Sequence, residues 1–280
     1  MIHNLGSVNI DHVHRVPRFP APGETLPDTD YYAGLGGKGA NQSIAIARAG
    51  GSVRHMGGVG ADGLWARDRL ASEGIDVSAL EVLPVATGHA VILVTPDGEN
   101  TIVIHAGANR ALEAGTLRAA LAHAAPGDWF LTQAETSLGP LLARQARELG
   151  LRVAYAAAPF DAESAAEMLP HVDLLAVNAG EAAALAAHLG VEEGALPVGE
   201  VLVTRGSEGV DYRTEAGTVH APAFPVEAVD TTGAGDTFLG TFLACRDRGE
   251  EAGDALTRAS AAAALSVTRE GAAYSIPTAS

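Results

Sequence analysis

Between residues 129 and 204 the chain reads Trp129-Phe130-Leu131-Thr132, a helical stretch from Leu138 to Leu149, then Leu151-Arg152-Val153-Ala154-Tyr155. Leu174-Leu175-Ala176-Val177, a helix from Glu181 to Leu189, and Val201-Leu202-Val203-Thr204 follow. Apolar runs of strand length thus alternate with helical segments over short connections. Such alternation predicts a mainly parallel sheet with helices on both faces. Ligands of these sheets bind beyond the carboxyl ends of the strands. Asn178, Thr204 and Asp236 each lie just past a strand or turn end, so one crevice is expected to collect them.

Two segments break the alternation. Residues 11–34 are rich in Pro and Gly, with alternating apolar positions in His12-Val13-His14-Arg15-Val16-Pro17-Arg18-Phe19. Residues 86–105 read as a hairpin: Ala90-Val91-Ile92-Leu93-Val94, a turn at Pro96-Asp97-Gly98, then Thr101-Ile102-Val103-Ile104. Asp-Gly between two such runs is a strong hairpin signal. The expected organisation is an α/β core of residues 1–10, 35–85 and 106–280 with a small β lid of 11–34 and 86–105. The alternative is an edge extension of the main sheet.

Outward from the core, Asp230-Thr231-Thr232-Gly233-Ala234-Gly235-Asp236-Thr237-Phe238 joins what phosphoryl transfer needs. Two glycines around an alanine allow a tight turn that aims successive amides at one point. Phe238, Leu239, Phe242 and Leu243 start a helix at once, so those amides sit where the helix dipole favours an anion. Asp236 stands at the same mouth, placed to take a proton from an attacking hydroxyl. The plainer reading is a Gly-rich loop with Asp as a helix cap.

A second cluster, Gly34-Leu35-Gly36-Gly37-Lys38-Gly39-Ala40-Asn41, precedes a helix carrying Ile44, Ala45 and Ala47. It is no Walker A loop, because Gly39 stands where Ser or Thr must follow the lysine. It lacks the strand and glycine spacing of a dinucleotide site. What remains is a turn where backbone approaches a ligand closely, with Lys38 and Asn41 as donors, or a plain helix start with a solvated lysine.

The chain has 280 residues, 47% of them hydrophobic and 19% charged, with a net charge of −16. It is long enough for a full core, and the charge argues against nucleic acid or an anionic membrane as partner. The single cysteine, Cys245, excludes an internal disulfide framework and reads as a small core residue. No apolar run approaches the ~20 residues that span a bilayer, and Met1-Ile2-His3-Asn4 lacks signal-peptide features. A cytoplasmic protein is expected. His12 and His14 share a strand face, as a metal pair or as ordinary lid surface.

Gly36-Gly37-Lys38-Gly39-Ala40-Asn41-Gln42 resembles the first signature of the ribokinase (PfkB) carbohydrate kinases, and Asp230 to Phe238 resembles the second. Supporting stretches are Gly6-Ser7-Val8-Asn9-Ile10-Asp11, Pro22-Gly23-Glu24-Thr25, Ile104-His105-Ala106-Gly107-Ala108-Asn109, Asn178 with Glu181, and Thr204-Arg205-Gly206-Ser207-Glu208-Gly209. The resemblance runs from about residue 5 to 277 and is strongest to the ribokinase branch.

It implies a ribokinase-like three-layer α/β/α core with a small β-sheet lid, and an ATP-dependent kinase acting on a sugar, D-ribose at its 5-hydroxyl foremost. Asp236 would be the catalytic base, and Gly233, Ala234 and Gly235 the anion hole. Asn9, Asp11, Gly37, Lys38, Asn41 and Glu135 would hold the sugar. Thr204, Gly206, Ser207, Gly209, Gly235 and Ser260 would contact the nucleotide. Asn178 and Glu181 would place Mg2+ and the phosphates through water. Asp230, Thr232, Ser266, Arg269, Gly271 and Ser275 match a site for a monovalent cation, K+. A homodimer through the lid is implied too.

The chain departs from the pattern at Ala156-Ala157-Ala158-Pro159, in the short stretch from Leu189 to Val201, and in lacking the usual final helix before Ser280. Taken without the resemblance, Asp11 and Glu135 read as solvated turn carboxylates and Glu181 as a first-turn dipole partner. The rival functions are a kinase of another sugar or a nucleoside, and a non-catalytic sugar- or nucleotide-binding protein.

Overall fold

Side chains on successive strand positions point to opposite faces, and this sorts the residues of the central strands into two cores. The computed structural model describes residues 1–278. Its main sheet holds β1 (Ile2–Leu5), β4 (Val53–Val59), β5 (Asp76–Val82), β8 (Trp129–Gln133), β9 (Arg152–Ala156), β10 (Leu174–Asn178), β11 (Glu200–Thr204), β12 (Val210–Thr214) and β13 (Gly217–Ala221). The strand order is β13-β12-β11-β10-β9-β8-β1-β4-β5. All neighbours are parallel except the β11–β12 and β12–β13 pairs.

Trp129, Leu131, Ala154, Leu174 and Leu202 face one core, and Phe130, Val153, Leu175, Val201 and Val203 the other. The first core is closed by α1 (Lys38–Arg48), α2 (Leu64–Ser72), α7 (Ala234–Asp247) and α8 (Ala252–Ser266). The second is closed by α3 (Ala114–Leu121), α4 (Gly139–Glu148), α5 (Ala162–Met168) and α6 (Ala179–Leu189). A short α9 (Ala272–Ser275) follows. Phe242 and Phe130 are fully buried, one in each core, and each contributes roughly 1.5–3 kcal/mol from burial alone. Cys245 is a free, buried residue of α7.

The two departing segments form a separate sheet. It contains β2 (Asn9–Arg15), β3 (Asp30–Gly36), β6 (Gly88–Val94) and β7 (Asn100–His105), in the order β3-β2-β6-β7. The hairpin of β6 and β7 is antiparallel, and β2 joins it in parallel register. This is a second sheet, not an edge extension of the first.

Three helices that bear the site start at the same end of the main sheet. Lys38 opens α1 just after β3, Ala179 opens α6 directly after β10, and Ala234 opens α7. Helices α1 and α7 lie close because Gly240 has no side chain. A Cβ there would sit 2.6 Å from Ala45 Cβ and 2.7 Å from the Gln42 carbonyl. Between α6 and β11 stands only a 3-10 turn, Glu193–Ala195, in keeping with the shortness of that stretch. Among the described residues no helix is long and apolar enough to cross a membrane.

Candidate active site

At the mouth of α7 the backbone turns through Gly233, whose φ of +75° lies in the left-handed region that favours glycine. The helix carries no side-chain cap, and the Asp236 carboxylate bonds elsewhere. Its Oδ1 accepts from Gln42 Nε2 at 2.8 Å and its Oδ2 from Asn41 Nδ2 at 3.1 Å. Both partners lie on α1, so the cap reading of Asp236 does not hold. Burial raises the Asp236 carboxyl above the usual carboxylate range. The Lys38 charge and the Gln42 and Asn41 donors pull it down, and Glu135 pushes it up again. A base poised in this way suits proton abstraction.

At the mouth of α7 one of the three expected donor residues has its amide already bonded. The Ala234 N–H donates to the Thr231 carbonyl at 3.2 Å and is spent inside the turn. The amides of Gly233, Gly235 and Asp236 have no partner among the described residues, so the free donors are these three. A first helical turn leaves such groups orphaned, and an anion satisfies them.

The start of α1 is built differently, because its first amides are already bonded. Lys38 N–H donates to Glu135 Oε2 at 3.0 Å, Gly39 N–H to Ser7 Oγ at 3.2 Å and Ala40 N–H to the Ser7 carbonyl at 2.9 Å. Ser7 Oγ itself donates to Glu135 Oε2. Glu135 therefore anchors this helix with one oxygen, and Oε1 has no protein partner among the described residues. Gly39 is required here, because a Cβ would collide with the backbone of Gly6 and Ser7. Gly37, at φ +94°, passes close to the Asn9 amide.

A third carboxylate comes from the lid. Asp11 lies opposite Gly34 in the β2–β3 register, with its carboxylate against Gly36, and it is pushed up to about 6, by burial first and by the Glu135 charge second. Asn9 Oδ1 accepts from Asn109 Nδ2 at 2.8 Å, and Asn109 Oδ1 accepts from Val8 N–H at 3.0 Å. Asn41 Oδ1 is a buried acceptor with no partner. Lys38, Asn41 and Glu135 thus act on Asp236, Asp11 lies near Glu135, and Gly37 lies against Asn9; the orphaned Asn41 oxygen is free to accept from a hydroxyl.

A cleft of about 230 Å³ runs from there along the strand ends, lined by Lys38, Gln42, Asn178, Glu181, Thr204, Gly233, Ala234, Gly235 and Asp236. Asn178 and Glu181 form a capping box on α6: Asn178 Oδ1 accepts from Glu181 N–H at 2.9 Å, and Glu181 Oε2 from Asn178 N–H at 2.8 Å. The box spends one oxygen of each. Glu181 Oε1 and Asn178 Nδ2 have no protein partner among the described residues. Ala156 and Ala158 of the departing segment line this cleft too.

A narrower, more apolar pocket continues past Thr204, Gly206, Gly209, Gly235, Phe238 and Ser260. Ser207 stands on the exposed 206–208 turn and lines neither space. The cation candidates lie on the loop of Asp230 and Thr232, at the end of α8 (Ser266), on the connection of Arg269 and Gly271, and in α9 (Ser275). Asp230 Oδ1 accepts from Thr232 N–H and Oδ2 from Gly271 N–H, each at 2.9 Å, and Arg269 N–H donates to the Ser266 carbonyl at 3.1 Å. Ser275 Oγ donates to the Ala272 carbonyl at 3.0 Å.

His12 and His14 lie on the lid's other face, with His12 Nδ1 2.9 Å from Tyr31 Oη and His14 Nδ1 2.8 Å from Asp28 Oδ2. Another cleft, of about 700 Å³, lies away from these residues, near the opposite ends of the strands. Its arginines, Arg147 and Arg152, are paired with Asp173 and Glu200.

Sequence reading missed Ser7 and Asn109 as parts of the site, though both fall in stretches that carry the resemblance. It also missed Gln42, Gln133, Asn4, Ser43 and His55, which stand behind Asp236. Buried polar side chains within strands and on the inner face of α1 leave no signal that separates them from surface ones.

Comparison with known proteins gives one direction. The model of the pfkB family carbohydrate kinases matches residues 1–279. Ribokinase of Haemophilus influenzae is 37% identical, over 98% of this chain and 94% of its own length. The crystal structure of Cryptococcus neoformans ribokinase in complex with ADP superposes with a TM-score of 0.84 at 34% identity, covering 99% of this chain and 96% of that one. Arabidopsis thaliana ribokinase complexed with ribose and ATP superposes with a TM-score of 0.89 at 28% identity, covering 99% and 95%.

Proposed function

Because this chain belongs to the pfkB family of carbohydrate kinases, we propose that it is a phosphotransferase moving the γ-phosphate of ATP to the 5-hydroxyl of D-ribose. The observation that carries this reading is Asp236, a carboxylate held by two α1 side chains beside the free amides that open α7. Ribokinases from several organisms match nearly the whole chain, and one is complexed with ribose and ATP.

In this reading Asp11, the free oxygen of Glu135, Asn9 and Asn41 orient the sugar by accepting from and donating to its hydroxyls. Asp236 takes the proton from the hydroxyl that attacks. The amides of Gly233, Gly235 and Asp236 hold the developing charge on the transferring group, and Lys38 adds a positive charge in the same cleft. Thr204, Gly206, Gly209 and Ser260 line the nucleotide pocket, with Ser207 on the turn between them.

Asn178 and Glu181 fit magnesium. They are hard oxygen and amide groups at the cleft, few in number, as befits an ion that keeps most of its waters. Magnesium, when bound, neutralises phosphate charge. Asp230 ties the 230–232 and 271 loops together, so the carbonyl oxygens around Thr232, Ser266, Arg269, Gly271 and Ser275 suit a monovalent cation such as potassium. The protein is further read as a homodimer through the outer lid face. There Val91 is 37% and Val103 67% exposed beside His12, His14 and His89, and apolar strands of this kind seek cover. Sedimentation should give a dimer, and a monomer at micromolar concentration would remove that assignment.

The test of function is ATP consumption measured across D-ribose, 2-deoxyribose, other pentoses, hexoses and nucleosides. Ribose should give the highest kcat/KM. A nucleoside or another sugar exceeding it would replace the substrate, and no stimulation by any acceptor would favour a non-catalytic binder.

A further inference from the structure

Behind Asp236 runs a buried chain of polar side chains whose order fixes the direction of every hydrogen bond. His55, fully buried and held neutral at about 4 by that burial, has Nε2 3.1 Å from the Gly6 carbonyl and Nδ1 2.8 Å from Ser43 Oγ. A carbonyl only accepts, so Nε2 carries the hydrogen and Ser43 donates to Nδ1. Asn4 Nδ2 then donates to Ser43 Oγ at 2.8 Å and to the Gly39 carbonyl at 2.9 Å. Its oxygen must therefore face Gln133, which donates to Asn4 Oδ1 at 2.9 Å and to Gln42 Oε1 at 2.7 Å.

Both Nε2 hydrogens of Gln133 are now used. Gln42, receiving at its oxygen, has only its NH2 to offer Asp236 Oδ1. Main-chain carbonyls at Gly39 and Gly6 thus dictate, through three amides, what the carboxylate meets. All of these links are buried: Asn4, Ser43 and His55 are 0% exposed and Gln42 and Gln133 at most 2%.

We propose that Gln42, with its amide direction set by Gln133 and Asn4, is a positioning residue that locks Asp236 Oδ1 as a permanent acceptor and leaves Oδ2 as the oxygen that takes the substrate proton. Asn41, the partner of Oδ2, has its own oxygen unpaired, so that side of the carboxylate has room to exchange partners. If the proton went to Oδ1, an O–H would face the Gln42 NH2, and two donors would meet with no acceptor between them. Neither Gln133 nor Asn4 touches the Asp236 carboxylate in the structure. The proposal rests on the assignment of Asp236 as the base.

The charged groups that face Asp236 are Lys38 from α1 and Glu135 from the loop after β8. The test keeps both intact. Gln42→Met removes the donor, Gln133→Met removes the link that orients it, and Gln133→Glu reverses the link by putting an acceptor where a donor stood. Each is assayed for kcat and KM against pH, with Tm measured alongside.

The expected result is a kcat at pH 7 lower by about 10- to 100-fold, less than the roughly 10²–10⁴-fold of a whole general-base contribution because the base itself remains. The acid limb should move up by about one pH unit once a hydrogen bond to the ionised form is lost. The sugar KM should stay within about threefold of wild type, because uniform binding is not what is lost. Gln133→Glu should shift the limb further than Gln133→Met, although position 133 is remote from substrate. An acid limb unmoved in all three variants, whatever their Tm, overturns the proposal. A wild-type protein that turns over no acceptor overturns the functional reading instead, so the two failures are separable.

Discussion

A Cβ added at Gly36 would land on the Asp11 carboxylate, so this glycine is a requirement of the proposed sugar site and not only of the turn. Gly36→Ala should raise the ribose KM on the order of tenfold or more, the loss expected when a charged acceptor is displaced; an unchanged KM would take Asp11 out of the site. Asp11 also destabilises the free protein. Its carboxyl is raised from 3.8 to about 6 by burial and by Glu135, so the folded state holds a proton that the unfolded chain releases between those values. Stability therefore falls as pH rises through that window, on the order of 3 kcal/mol by linkage. Asp11→Asn should raise Tm at pH 8, leave it unchanged at pH 4, and weaken ribose binding. An equal Tm change at both pH values would contradict the assignment. Asp236 was legible because a carboxylate beside a glycine turn at a helix mouth is informative, and Asp11 and Glu135 were legible only through the family resemblance. Gln42 and Gln133 were not, because only tertiary burial distinguishes a structural amide from a surface one.

Helices α1 and α7 carry the two halves of the site, and their spacing rests on Gly240, which packs against Ala45 and the Gln42 carbonyl. Gly240→Val should separate them and cost about 1–3 kcal/mol from overpacking. Its kcat should fall by at least tenfold, on the scale at which small misplacements act. A Tm loss with wild-type kcat would show that helix spacing does not set the chemistry. Helix α5 (Ala162–Met168) went unread, but the other strands and helices of residues 129–204 were legible from apolar runs and their lengths. The β12–β13 hairpin was not, because Asp211, Arg213 and His220 interrupt its apolar positions and pair with charged or carbonyl groups of the fold. The bond that closes the turn, from the Ala234 amide to the Thr231 carbonyl, was not legible either, because glycine spacing alone does not fix where each amide points.

Across the whole molecule, a sheet of nine strands supplies the nucleotide side of the cleft and a sheet of four supplies Asn9 and Asp11. The lid was legible from its Asp-Gly hairpin and Pro-rich entry, whereas the parallel pairing of β2 with β6, about 80 residues apart in the chain, carries no local signal. The account requires that both sheets present their ligands to one carboxylate. Asp236→Asn keeps the size and most of the hydrogen bonds of the side chain but removes the base. Its kcat with ribose and ATP, measured beside calorimetric ribose affinity, is the most direct test. We predict a loss of about 10²–10⁴-fold in kcat with the ribose Kd within about threefold; turnover near wild type in that variant would contradict the central claim.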